Sequence, residues 1–233
     1  RIGGIRVKLN PIIGSENTSF YRNKAQLPVG KDRNGKTQIG FFSSRTHNII
    51  DCDCCLLQPK EFSEIASAVR AWVDENGISV YDEISHKGLL RHIYIRASKN
   101  CENMSVCLVI NGNKLPKADA LWQELEKIGV TGLSVNINKE KTNVVLGKEI
   151  KTLCGSEKIT DTLCDTEFEI SPHAFYQVNR DQAEKLYKIA ADYAELNEDT
   201  TLLDMYCGVG TIGLSMAKNI KQLIGVEIVP DAV

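Results

Sequence analysis

"LDMYCGVGTIGLSMA", residues Leu203–Ala217, decides how this chain is read. Glycines at 208, 210 and 213 spell G-x-G-x-x-G between an apolar run and a helix-like run. Gly208 and Gly210 let the backbone turn tightly and approach a ligand, and the N–H groups at the start of the next helix are free to meet it. The flanks complete a unit: "TLLDMYC" reads as a strand buried on both faces, "GTIGLSMAKN" as a helix and "QLIGVEIV" as a second strand. One β-α-β unit leaves its sheet faces without partners, so a larger parallel α/β domain is expected to continue past Val233.

Glu227, at the end of the second strand, stands where a carboxylate can accept hydrogen bonds from ribose hydroxyls. Loop and carboxylate together fit either a nicotinamide dinucleotide or S-adenosylmethionine. Two features favour the second. The loop follows a strand far along the chain rather than the first one, and Asp204, four positions ahead of Gly208, is an acidic residue typical of S-adenosylmethionine loops. A turn whose glycines serve packing alone is the remaining reading.

Upstream, "RDQAEKLYKIAADYAEL" places Ala183, Leu186, Tyr187, Ile189, Ala190 and Tyr193 at helical spacing, with Asn179 as N-cap. From Ile5 to about Leu163 the pattern is short and strand-like: "IRVKL", "KAQLPVG", "TQIGFFS", "NIIDC", "RHIYIRAS", "MSVCLVI", "GLSVNIN" and "TNVVLG". The helices "KEFSEIASAVRAWVDENG" and "KADALWQELEKIG" interrupt it, each ending at glycine. This predicts an α+β central domain with an antiparallel sheet over residues 1–166, followed over 167–233 by the start of an α/β class I, Rossmann-like domain.

The chain has 233 residues, with 42% hydrophobic and 25% charged residues and no apolar run long enough to span a bilayer, which predicts a soluble protein with no membrane partner. Its start shows no initiator Met, no apolar leader core and no small-residue cleavage site, so a start in mid-protein without a secretory signal is expected. Net charge is −2, but residues 1–60 carry ten Lys/Arg against four Asp/Glu, and residues 161–200 carry three against ten. A basic N-terminal part suits contact with a phosphate backbone, or simply an ordinary solvated surface. Eight cysteines without regular spacing point to a cytoplasmic setting rather than a disulfide framework. In "DCDCCLLQP" at most one or two of Cys52, Cys54 and Cys55 can face one metal, because adjacent side chains of an extended segment diverge.

"SPHAFYQVN" followed by "LLDMYCGVGTIGL" and "GVEIVPDAV" resembles the S-adenosylmethionine-dependent RNA (uracil-5-)-methyltransferases. "RIGGI", "PIIGSENTSFYRNKAQLPVG", "CLLQP", "GLLRHIYIR" and "TNVVLGKEI" look like the central domain of its 23S rRNA branch, so the resemblance covers nearly the whole chain. It implies that Gln177, Tyr206 and Glu227, beside Gly208 and Gly210, contact the cofactor. It also implies that Cys55 matches the fourth ligand of a four-iron, four-sulfur cluster whose other three ligands lie upstream of this chain, leaving Cys55 here without metal.

The family adds a cysteine thiolate to carbon 6 of uracil, which makes carbon 5 nucleophilic, and a base then removes the carbon 5 proton. Both groups lie downstream of the glycine loop in that family, so this chain is expected to lack a catalytic residue and to be inactive alone. Cys207, inside the loop, reads as a small packing residue. For RNA, which the resemblance implies is the partner and names as 23S rRNA, the candidates are Arg22 and Lys24 beside Tyr21, and Arg91 with His92 and Arg96; no protein partner is implied. An NAD-dependent oxidoreductase and a non-catalytic RNA-binding module are the competing functions.

Overall fold

The computed structural model describes residues 3–229; residues 1–2 and 230–233, the ends of the quoted "RIGGI" and "GVEIVPDAV", lie outside the described residues. A seven-stranded sheet dominates the first part. Its strands are β1 (Lys24–Lys31), β2 (Thr37–Phe42), β3 (Ile49–Asp51), β4 (Leu90–Ala97), β5 (Met104–Ile110), β6 (Gly132–Ile137) and β7 (Glu149–Gly155), in the order β3-β2-β1-β4-β5-β6-β7. Helices α1 (Lys60–Glu75) and α2 (Ala118–Ile128) accompany it.

The helices form where the apolar spacing places them. Phe62, Ile65, Val69 and Trp72 of α1 share one core with Leu121 and Leu125 of α2 and with Ile93, Ile95, Val106, Leu108 and Leu133 of the central strands. Gly129 ends α2 at φ 96, and the Trp72 indole donates to the Lys117 carbonyl at 3.0 Å, joining the two helices. The sheet is not wholly antiparallel as expected. β5 and β6 run parallel because α2 lies between them in the chain and carries it back across the sheet.

Two expected strands do not form. Ile5, Val7 and Leu9 of "IRVKL" are exposed, with no strand alongside to complete a ladder. "TNVVLG" is a loop because side chains take its backbone groups: Asn138 Nδ2 donates to the Val144 and Val145 carbonyls at 2.7 and 3.0 Å, and Asn136 exchanges two hydrogen bonds with Gly147. The ladder strand is β7, just downstream.

The second unit opens with the hairpin β8 (Ile159–Leu163) and β9 (Thr166–Ile170), continues through α3 (Arg180–Ala194) and ends in β10 (Thr201–Asp204), α4 (Thr211–Ser215) and β11 (Gln222–Gly225). Ile159, Leu163, Phe168 and Ile170 pack with Tyr176, Ala183 and Tyr187 into a separate core. The boundary expected after residue 166 therefore falls inside a hairpin, and the two cores part between Gly155 and Ile159. Asn179 caps α3 as its sequence predicts, its Oδ1 accepting from Gln182 N at 3.1 Å. β10 and β11 are parallel, as expected of a β-α-β unit, but Leu203 is 53% exposed, so burial of β10 on both faces is not reached among the described residues. No helix among them is long and apolar enough to cross a membrane.

A polar joint ties the two units. Asp161, 3% exposed, accepts from Lys99 N and Thr162 N at 3.0 Å each and from the Tyr176 hydroxyl at 2.7 Å, and Arg180 Nε lies 3.6 Å away. Above β4, the Tyr94 hydroxyl donates to the Pro172 carbonyl at 2.9 Å and Arg96 Nη2 to the Ala174 carbonyl at 2.8 Å. Replacing Asp161 by Ala strands three donors and takes one counter-charge from the buried Arg180, and is expected to cost about 3 kcal/mol in urea unfolding, against about 1 kcal/mol for Tyr176→Phe.

His92 lies on the same face of β4, and burial takes its pKa from 6.5 down to about 4. The unfolded chain binds that proton between those values and the folded chain does not, so stability falls as pH drops from 6.5 toward 4. The loss is on the order of 3 kcal/mol, read by urea unfolding across that range, and His92→Leu is expected to flatten it.

Candidate cofactor loop and nucleic-acid face

β10 ends at Asp204 and the chain turns through the glycines into α4. Gly208 and Gly210 have φ of 55 and 79, the left-handed region that glycine enters without strain. At Gly213 the constraint is space: a Cβ there would lie 2.9 Å from Leu223 and 3.2 Å from the Asp204 carboxylate. The helix expected over "GTIGLSMAKN" breaks after Ser215 and resumes as a 3₁₀ turn at Ala217–Asn219.

Two carboxylates clasp the turn. Asp204 Oδ2 accepts from Gly213 N at 3.2 Å, and Glu227 Oε2 accepts from Gly208 N at 2.9 Å. Glu227 Oε1 takes Ile228 N and Val229 N, each at 2.9 Å. Hydrogen bonds from the Val229 and Gly208 N–H groups hold its carboxyl below the usual carboxylate range. A carboxylate has about four acceptor positions, so the Oε2 side of Glu227 retains one for a ligand hydroxyl. Tyr187 of α3 reaches the loop, its hydroxyl 3.2 Å from Thr211 Oγ1.

Asp204, Gly208 and Gly210 line one cavity of about 290 Å³ with Cys207 and Leu214. Cys207 packs against Gly225, where a Cβ would approach its sulfur to 3.1 Å. Gln177 is not on that cavity: it lines a groove beside α3 with Ile13 and Gln182, and Tyr206 is 90% exposed. Asp204 as the second clasp was legible only as an acid ahead of the glycines; its hold on Gly213 needs the turn to be folded.

The expected RNA contacts separate into two kinds. Arg22 and Lys24 are half-buried on β1 and the segment leading into it, with Lys24 Nζ 6.0 Å from the centre of the Tyr94 ring. Burial, with Arg96 and Arg22 nearby, lowers the Lys24 pKa. Arg91 does not fit the expected role. A register shift between Leu90 and His92 turns it inward, where it is 3% exposed, lies 4.3 Å from the centre of the Tyr81 ring and donates to the Asn138, Glu140 and Thr142 carbonyls at 2.9, 2.9 and 3.3 Å. Arg96 is likewise committed to Tyr94 and Ala174.

Cys55 is a half-buried free thiol, and no group of three His, Cys, Asp or Glu able to hold a metal gathers among the described residues. These residues do not by themselves make a cluster site.

Residues 10–233 match the model of the tRNA (uracil-5-)-methyltransferase family. The chain belongs to that family. An uncharacterized RNA methyltransferase of Clostridium tetani is 43% identical over all of this chain and 51% of its own length, and one of Staphylococcus aureus (strain MSSA476) is 40% identical over 97% and 50%. The chain thus spans about half the length of these relatives. The crystal structure of Pyrococcus abyssi tRNA (uracil-54, C5)-methyltransferase with S-adenosyl-L-homocysteine superposes with a TM-score of 0.79 at 27% identity, over 94% of this chain and 52% of that one. The chain therefore has the fold of the matched half of that methyltransferase, the seven-stranded unit followed by the opening β-α-β of the α/β domain.

Removing the Glu227 clasp tests the loop. Glu227→Ala is expected to weaken S-adenosylhomocysteine binding by the whole protein about tenfold in calorimetry, while leaving its thermal unfolding midpoint within a degree or so, because Glu227 is only half-buried and the N–H groups it holds, on Gly208, Ile228 and Val229, lie near enough to the surface to turn to water.

Proposed function

We propose that the protein to which this chain belongs transfers a methyl group from S-adenosylmethionine to carbon 5 of uridine in RNA. The observation that carries the reading is the glycine turn held by Asp204 and Glu227, in a chain of this family. S-adenosylmethionine, when bound, supplies an electrophilic methyl group. Glu227 would take its ribose hydroxyls, Gly208 and Gly210 would let it approach the backbone, and Gln177 and Tyr206 would close on it from α3's approach and the loop tip. The residues present fit such a ligand, since Glu227 stays ionised and keeps a free acceptor position. The nucleophilic thiolate and the base belong to parts of the protein outside these residues, and the chain alone is inactive in this reading.

The RNA of this proposal is 23S rRNA in the cytoplasm, supported by the likeness of "RIGGI" and "CLLQP" to the rRNA branch and by eight free thiols. Arg22 and Lys24 are its backbone contacts, and Cys55 would join a cluster completed by upstream cysteines. A tRNA substrate is the second reading, favoured by the Pyrococcus abyssi structure.

Tritium release from carbon 5 of labelled uridine, by the whole protein, tests both. Release from rRNA that requires S-adenosylmethionine is the expected result, and release from tRNA alone selects the second reading. Methyl transfer without release overturns the target atom. Binding of NADH in preference to S-adenosylhomocysteine, with no transfer, puts an oxidoreductase in its place.

A further inference from the structure

A cleft of about 460 Å³ opens beside the Asp161 joint, between the Asn17–Asn23 segment, the start of α1 and the β4–β5 turn. That volume suits a small ligand. None of its lining residues comes from the glycine turn, so it is a place to hold something other than the reacting group.

Its chemistry is specific. Asn23 is 8% exposed; its Nδ2 donates to the Gln177 carbonyl at 3.0 Å, but its Oδ1 has no partner, and it is the one lining side chain with a buried atom in that state. A buried amide oxygen is costly to leave unmade and calls for an N–H donor. At the mouth, α1 begins after Pro59 with no side-chain cap, so its N–H groups and the exposed Lys60 and Lys99 favour an anion. The two lining acids have partners: Glu61 accepts from the Cys101 thiol at 3.6 Å, and Asp181 accepts from Asn17 and Arg180. Phe20 presents a ring 40% exposed from a backbone held at φ 57.

A nucleotide combines these needs: a flat ring, an N–H edge and a phosphate. We propose that the cleft takes an unpaired nucleotide of the RNA flanking the target uridine. A base N–H meets Asn23 Oδ1, Phe20 or Tyr21 gives the stacking face, and the phosphate lies toward Lys60 and Lys99. Asn23 also donates its backbone N–H to the Val178 carbonyl at 3.1 Å, so the occupant bears directly on the segment that carries Gln177. This inference rests on the reading of RNA as substrate.

Ultraviolet cross-linking of the whole protein to total cellular RNA, with adducts mapped by peptide mass spectrometry, tests it. A nucleotide adduct on Phe20, Tyr21 or Cys101 is expected, falling at least about fivefold in Asn23→Ala and in the double variant Lys60→Glu, Lys99→Glu, with S-adenosylhomocysteine binding unchanged in the double variant. The charge-reversed lysines are exposed, so this second variant keeps the test alive if Asn23→Ala loosens the Gln177 segment. Adducts on other peptides with none in the cleft, or a cleft adduct indifferent to both variants, would overturn the site while leaving RNA as substrate. No adduct anywhere would sink the RNA reading and this site together.

Discussion

Asp161 is the constraint on which the arrangement of the two units depends. It is a carboxylate almost wholly out of water, and its oxygens are shared among donors from three places: the β4–β5 turn through Lys99 N, its own hairpin through Thr162 N, and the approach to α3 through Tyr176. A buried charge is tolerable only when its acceptor positions are filled, so these three pieces cannot drift apart independently. Arg180 adds the counter-charge and is itself tied to the Thr162 carbonyl and Glu184. The result is that the start of α3 has a defined position on the central sheet. Both Gln177 and the Asn23 cleft inherit their placement from it.

The glycine turn depends on the same economy of donors on a smaller scale. A strand-to-helix turn leaves backbone N–H groups unpaired, and here Asp204 and Glu227 each take one while remaining at the solvent edge. That pre-shapes the turn without closing it. Glu227 sits on β11's exit and Asp204 on β10's end, so the parallel pairing of those strands, with Asp204 opposite Gly225, is what brings the two clasps to one turn.

The arginines of β4 show how composition and surface diverge. Arg91 and Arg96 contribute to the count of positive charge over the central strands, yet both guanidinium groups are spent on carbonyls and on Tyr94. They brace the loop after β6 and the segment above β4. Neither guanidinium is therefore free for the contact the sequence suggests, while Lys60 and Lys99 stay exposed.

By itself the sequence determined the features whose causes are local. The glycines at 208 and 210, the cap at Asn179, the apolar spacing of α1 and α2 and the parallel pairing of the β-α-β unit are set by residues within a few turns of one another and stand as read, while of the apolar positions of α3 Leu186 and Tyr193 are exposed and Ala183 and Tyr187 are buried. Tertiary structure decided whatever needed a distant partner. The parallel pairing of β5 with β6 and the inward turn of Arg91 onto the Asn138 carbonyl join groups far apart in the chain, whereas the loop at "TNVVLG" is a local competition that Asn136 and Asn138 win over strand pairing. Asn23 is the sharpest case, since an asparagine in "YRNK" reads as one more polar residue until Gln177, 154 positions away, takes its amide and leaves its oxygen bare. Periodicity records which face of an element is apolar; it carries no record of which donor and acceptor will meet once the elements pack.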